Sequence, residues 1–193
     1  MADKAGKGMF KNTAVRMIAA LVAVGVFSGI TLVFVYNYAM PKIQTNVKAE
    51  TDRAIRNIFP GASRIESTRE EDVSRVMDAR GGLLGYAFTA EGNGYQGCIK
   101  LIAGVDAGLS GMKGMEVIES QETPGLGAEI AGGTFKEQFK GLSIVHPIEY
   151  VKNRKPQKPY QIEALTGATI SSRAVVNILN RRIREIRGLL KGK

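Results

Sequence analysis

One cysteine, one histidine and no tryptophan occur among the 193 residues. A single thiol excludes an internal disulfide, an iron–sulfur cluster held by this chain alone, a Cys–His zinc site of ordinary spacing and a Cys-x-x-Cys-His haem attachment. Cys98 reads as a small buried residue of a strand rather than a reactive thiol. His146 precedes Pro147 in a loop, where a solvated ring outweighs a catalytic base. With no Ser-His-Asp triad and no His-rich cluster standing out, neither catalytic residues nor a metal site is expected. Redox or group-transfer chemistry would have to be carried by an organic cofactor.

A basic face is also missing. The formal charge is +9, from 27 Lys+Arg against 18 Asp+Glu, but it sits at the ends: +3 over residues 1–16, +5 over 181–193 and +1 over everything between. Nucleic acid is therefore not an expected partner. The arginine-rich end falls on a helix C-terminus, where cations are favourable by themselves, so it reads as a capped, solvated helix end. A contact with lipid head groups or an acidic surface is the other reading.

Charge is absent altogether from Met17 to Val35, 19 residues in sequence. As a helix these are about 28 Å long, close to the roughly 30 Å hydrocarbon core of a bilayer. The run is longer than the apolar part of an ordinary signal peptide and lacks a clean small-x-small cleavage site after it, which favours an anchor. Four Lys/Arg precede the span and two follow within 16 residues, placing the N-terminus in the cytoplasm. Tyr36 and Tyr38 fall where an interfacial aromatic belt would lie, and Gly25 and Gly29 permit close helix approach. The expected organisation is a cytoplasmic tail (1–16), a transmembrane helix (17–38) and an extracytoplasmic domain (39–193).

After Pro41, helical spacing of Ile43, Val47, Ala54, Ile55 and Ile58 predicts a helix that Phe59-Pro60-Gly61 ends. Glycine-punctuated apolar stretches over 73–119 (Leu83–Thr89, Tyr95–Val105, Met115–Glu119) predict an antiparallel meander. A short helix near Thr134–Phe139, a basic loop over Val151–Pro159 and a brief strand near Tyr160–Ala164 follow. The last helix is expected from Ser172 to Leu190, with Val175, Leu179, Ile183, Ile186 and Leu190 as its apolar stripe. One membrane helix followed by an α+β domain with an antiparallel sheet is the expected fold.

Two segments combine hydroxyls, small residues and turns. In Leu165-Thr166-Gly167-Ala168-Thr169-Ile170-Ser171-Ser172, either Ser171 or Ser172 is an N-cap, Gly167 admits a tight backbone and Thr169 is a turn hydroxyl just upstream of a helix, where a phosphate is stabilised. In Glu119-Ser120-Gln121-Glu122-Thr123-Pro124-Gly125-Leu126-Gly127-Ala128, Pro124 and Gly125 fit the centre of a type II turn.

Thr166-Gly167-Ala168-Thr169 resembles the Ser/Thr-Gly-Ala-Thr flavinylation motif of the FMN-binding domain family, and Glu122-Thr123-Pro124-Gly125-Leu126-Gly127 is similar to a second signature of that family. Glu163 stands where the family prefers Asp, three residues before the first hydroxyl. The resemblance implies a covalent FMN, its phosphate esterified to Thr169, with Thr166, Gly167 and Ala168 completing the attachment site. It implies that Thr123, Gly125, Leu126 and Gly127 line the flavin and that Glu122 fixes the loop. A flavin transferase is the implied maturation partner. Within the family, the run Thr-Gly-Ala-Thr-Ile-Ser-Ser-Arg-Ala-Val and the short length resemble the G subunits of Rnf complexes, ion-translocating ferredoxin:NAD oxidoreductases. That implies an electron carrier in the cytoplasmic membrane, among partner subunits bearing flavins and iron–sulfur clusters. The alternatives are the C subunit of the sodium-pumping NADH:quinone oxidoreductase, generally longer, and a flavin-free assembly module of the same fold.

Overall fold

A computed structural model describes residues 3–68 and 72–191. The chain divides into two compact units, 1–48 and 49–193.

Helix α1 runs Asp3–Ile58, with Pro41 inside it. The expected helix after Pro41 is thus part of the same helix as the apolar run, ending one residue before Phe59. Among the described residues it is the one helix long and apolar enough to cross a membrane. Leu21, Phe27, Leu32 and Phe34 are 71–74% exposed and form part of a long apolar surface. Water is a poor solvent for so long a stripe, whereas lipid tails match it. Of the apolar positions after Pro41, Ala54, Ile55 and Ile58 are buried while Ile43 and Val47 are exposed.

In the second unit, strands β1 (Arg64–Ser67), β2 (Val73–Met77), β3 (Leu83–Asn93), β4 (Cys98–Asp106) and β5 (Met112–Ser120) form one sheet in chain order, all neighbours antiparallel. The expected meander is present, widened by β1, whose four residues carry too short an alternation to stand out. Period-two geometry sorts β4 cleanly. Ile99, Leu101, Ala103 and Val105 join the larger core, while Ile102 joins a second core made by Ala54, Ile55, Ile58, Phe59, Val76 and Ala87. Gly104 lies on that second face, and a Cβ there would stand 2.5 Å from both Ile58 Cγ2 and Phe59 Cε2. The Phe59 ring is itself buried, at 3% exposure. Gly104→Ala should therefore lower stability by about 1–3 kcal/mol, an overpacking cost that a thermal melt would detect; an unchanged midpoint would mean the two layers are loosely packed.

A 3-10 turn (Gly127–Ala131) and a short helix α2 (Gly133–Glu137) follow. Strand β6 (Glu149–Val151) then pairs in parallel with β7 (Gln161–Glu163), the former unforeseen because three residues show no periodicity. Helix α3 spans Thr169–Lys191 and buries Val175, Val176, Ile178, Leu179, Ile183 and Ile186 in the larger core; the side chain of Leu190 lies outside the described ones.

Two expectations need correction. Cys98 is exposed, not buried: it opens β4 opposite Asn93, and the pleat turns it away from the face that buries Ile99. The arginine-rich end of α3 is more than a solvated cap, because two of its guanidinium groups hold backbone of other segments. Arg187 donates to the carbonyls of Leu109 and Ile144, and Arg181 to that of Glu91.

Candidate functional site

Three stretches far apart in sequence converge: the turn Gly94–Gly97 closing the β3–β4 hairpin, the loop 121–127 after β5, and the start of α3. Glu122 joins them. It is only 6% exposed, and both its oxygens are occupied. Oε1 accepts the N–H groups of Tyr95 at 2.6 Å and Gln96 at 3.1 Å, and Oε2 accepts the Ser171 hydroxyl at 2.5 Å. Burial pushes this carboxyl towards protonation, but the Ser171 hydroxyl and the backbone N–H groups of Gln96, Tyr95 and Gly97 outweigh it and hold the pKa below the ordinary value. Gly94 and Gly127 press against the same carboxylate: a Cβ at either would overlap a Glu122 oxygen, and at Gly127 it would also come 2.7 Å from Ser171 Oγ. Those glycines serve close packing around the carboxylate.

The loop itself turns as expected. Thr123 O accepts the N–H groups of Leu126 at 3.2 Å and Ala128 at 3.1 Å, with Gly125 at φ +74°. Nothing lies within 4 Å of where a Gly125 Cβ would stand, so the tip is open on that side. Leu126 Cδ2 lies 3.3 Å from the Cβ position of Gly167, whose φ is +83°. The two motifs are thus in contact, through Leu126 at the surface and through Glu122 and Ser171 beneath it.

Helix α3 begins three residues earlier than expected, and neither Ser171 nor Ser172 is an N-cap. Both are buried inside the helix. Ser172 N–H donates to Ala168 O at 3.0 Å, which makes Ala168 the capping residue, and its methyl offers no acceptor to the first turn. Ser172 Oγ instead donates to Ala168 O and accepts the Leu165 N–H, each at 3.0 Å. The N–H groups of Thr169, Ile170 and Ser171 consequently have no acceptor among the described residues. Thr169 is the first helical residue and half-buried, Thr166 and Gly167 are exposed, and Ala168 is buried.

This geometry fits FMN on two counts. Unpartnered N–H groups at an uncapped helix start favour a phosphate by charge and by donor count. The open glycine tip lets backbone approach a planar ring, and each converging stretch shows one exposed apolar side chain: Tyr95 (65%), Leu126 (50%) and Ile170 (45%). The Glu122 bridges to Tyr95, Gln96 and Ser171 span 27, 26 and 49 residues of sequence, a separation that no local motif discloses. Among the described residues no group of three or more His, Cys, Asp or Glu side chains could hold a metal ion.

The model of a family described as an FMN-binding domain matches residues 94–184. The chain is 29% identical over 175 residues to the G subunit of the ion-translocating oxidoreductase complex of Methanosarcina acetivorans, covering 86% of this chain and 90% of that one. It is 30% identical over 168 residues to the G subunit of the Na(+)-translocating ferredoxin:NAD(+) oxidoreductase complex of Acetobacterium woodii, covering 77% of each. The crystal structure of NqrC from Shewanella oneidensis shares the fold, with a TM-score of 0.53 at 23% identity over 63% of this chain and 65% of that one.

Proposed function

The chain belongs to the FMN-binding domain family, among the G subunits of ion-translocating oxidoreductase complexes, and from that premise we propose that it relays electrons between ferredoxin and NAD through an FMN esterified to Thr169. It is an electron-transport flavin subunit of an oxidoreductase complex. The observation that carries the finer reading is the junction of Glu122 with Ser171, which brings the Thr123–Gly127 loop against the uncapped helix start that holds Thr169.

FMN, when bound, supplies a centre that accepts two electrons and releases them one at a time. The residues have separate tasks. Thr169 Oγ1 would be the attachment point: with FAD as donor it would form the bond to the FMN phosphorus while the anhydride bond breaks, AMP leaves and the hydroxyl proton is released. A flavin transferase serves that step. The N–H groups of Thr169, Ile170 and Ser171 face the ester's charge. Gly125, Leu126 and Thr123 would border the ring at the surface, Thr166 and Gly167 would leave the approach open, and the buried Gly127 and Ala168 would support the site from within. Glu122 holds the three stretches together without a free oxygen for the flavin.

Coexpression with a flavin transferase should give a denatured gel band that fluoresces as flavin. A dark band under those conditions would leave the flavin-free assembly module as the better reading. The identity to G subunits over more than three quarters of each chain supports the Rnf type over the sodium-pumping quinone reductase type. Other membrane subunits of that complex, bearing flavins and iron–sulfur clusters, are the proposed electron partners.

The α1 span supports a place in the cytoplasmic membrane, and its flanking charges support an extracytoplasmic flavin domain. A covalent tether suits that side, where a dissociable cofactor would be lost by dilution. A Lys152→Cys, Cys98→Ser protein should react with a membrane-impermeant maleimide in intact cells or spheroplasts, since residue 152 lies on an exposed loop. Labelling only after the membrane is broken would reverse the topology.

A further inference from the structure

The arginines of α3 are not equivalent. Arg181 donates to Glu91 O, Arg182 to Glu185 Oε2, Arg184 to Asn180 O, and Arg187 to two carbonyls. Each is engaged with the fold. Arg173 has no hydrogen bond or ion pair among the described residues, and it is exposed. It stands one helical turn after Thr169, and a side chain at i+4 leans back over the turn that begins at i. Arg173 also lines an open cavity of about 450 Å³ beside that turn, bounded by Gly92, Asn93, Gly94 and Ile170 and by Arg181 further along. No carboxylate lines this cavity. A cation with no internal partner, in a cavity without negative charge, beside unpartnered N–H groups, is an arrangement that lacks only its anion.

We propose that Arg173 is the positioning residue for the phosphodiester on Thr169, pairing with its charge and restricting the flavin tether. The proposal rests on Thr169 as the attachment point. Arginine suits the task, since its planar fork offers two parallel donors to phosphate oxygens and stays charged at any working pH. Together with the N–H groups of the first turn it would face the ester from the exposed side of α3, leaving the Glu122 junction to support the opposite side.

The test uses the full chain, loaded by a flavin transferase with FAD and held in detergent micelles. Phosphorus NMR and flavin fluorescence anisotropy are compared for wild type, Arg173→Gln, Arg173→Lys and the control Arg184→Gln. The phosphodiester resonance of the native protein should differ from that of the same protein in urea. Arg173→Gln should move it about half way or more towards the urea position and lower the anisotropy, while Arg173→Lys stays near wild type and Arg184→Gln does not move. Raising the salt concentration should bring wild type towards Arg173→Gln, because ions screen an exposed pair. Circular dichroism should show all four equally helical. If Arg173→Gln matches wild type in both readouts on a chain whose flavin is mapped to Thr169, the proposal is overturned and the attachment reading stands. If mapping finds no flavin on wild-type Thr169, the attachment reading fails, and the role of Arg173 fails with it.

Discussion

A Thr169→Ala or Thr169→Val chain should carry no covalent FMN at all while keeping its fold. The ester needs a hydroxyl oxygen, and no other in the segment is placed to replace it. Ser171 and Ser172 are buried at 3% and 0% exposure and their hydroxyls are engaged with Glu122 and Ala168. Thr166 is exposed but lies before the helix, outside its first turn. The Thr169 hydroxyl makes no hydrogen bond among the described residues, and Ala168 rather than Thr169 occupies the capping position. Removing the hydroxyl should therefore cost less than the roughly 1 kcal/mol typical of a lost cap. Intact mass after coexpression with the transferase decides the matter. A Thr169→Val protein that still gains the mass of FMN less one water would put the bond elsewhere, with Thr166 as the remaining exposed hydroxyl of the motif.

The second large effect is expected at Glu122. Glu122→Ala strands the N–H groups of Tyr95 and Gln96 and the Ser171 hydroxyl in a buried place. Hydrogen bonds to a charged group are worth about 1.5–3 kcal/mol each, and water entering the gap recovers part, so the loss should be about 3 kcal/mol. For a domain of this size that is a fall of about 6–12 °C in melting temperature. Glu122→Gln should cost far less, because its amide oxygen can accept from Tyr95 and Gln96 while its NH₂ donates to Ser171 Oγ. The pH dependence separates the two effects. The folded pKa of Glu122 lies below its ordinary unfolded value, so the unfolded chain binds more protons in the interval between them. Its contribution is complete above the unfolded value and is lost as pH falls through the folded one. Asp106, held by the Ser110 and Gly111 N–H groups and the Ser110 hydroxyl, shares this direction despite its partial burial. Glu122→Gln should thus flatten, without abolishing, the decline in stability below about pH 4. A decline as steep as in wild type would show that folding does not lower the pKa of Glu122.

Elements with periodicity are legible in the sequence: the apolar span, the meander, and the stripe of α3 from Val175 to Ile186. What escapes has no period to show. Strands β1 and β6 are four and three residues long, and β6 exists because β7 offers it a parallel partner. The start of α3 is misplaced by sequence alone because Ser171 and Ser172 are good N-caps in isolation, whereas here tertiary contacts bury both and Ala168 takes the role. Residue type misleads at Cys98, since its position at the end of a hairpin, not its hydrophobicity, sets its exposure. At the site, the motifs point to Thr169 and to the Thr123–Gly127 loop, but not to the partners through which Glu122 binds them together. A glutamate fixed by two backbone N–H groups and a serine hydroxyl has the same sequence appearance as any loop glutamate.

The chain order of the sheet has a kinetic consequence. Every pairing from β1 to β5 joins strands adjacent in sequence, so loop closure costs little and the sheet is fast to assemble. Glu122 meets Ser171 only when α3 docks, 49 residues further along the chain. On the proposed reading, the landing place for flavin is then a late product of folding, and attachment would mark a completed domain. Pulse-labelled hydrogen exchange should find the β3–β4 amides protected before the Ser172 amide; simultaneous protection would show the domain closing in one concerted step. Under the sequential order and the proposed attachment, an incompletely folded chain would present Thr169 without the loop proposed to receive the ring, and unloaded protein would mark unfinished folding.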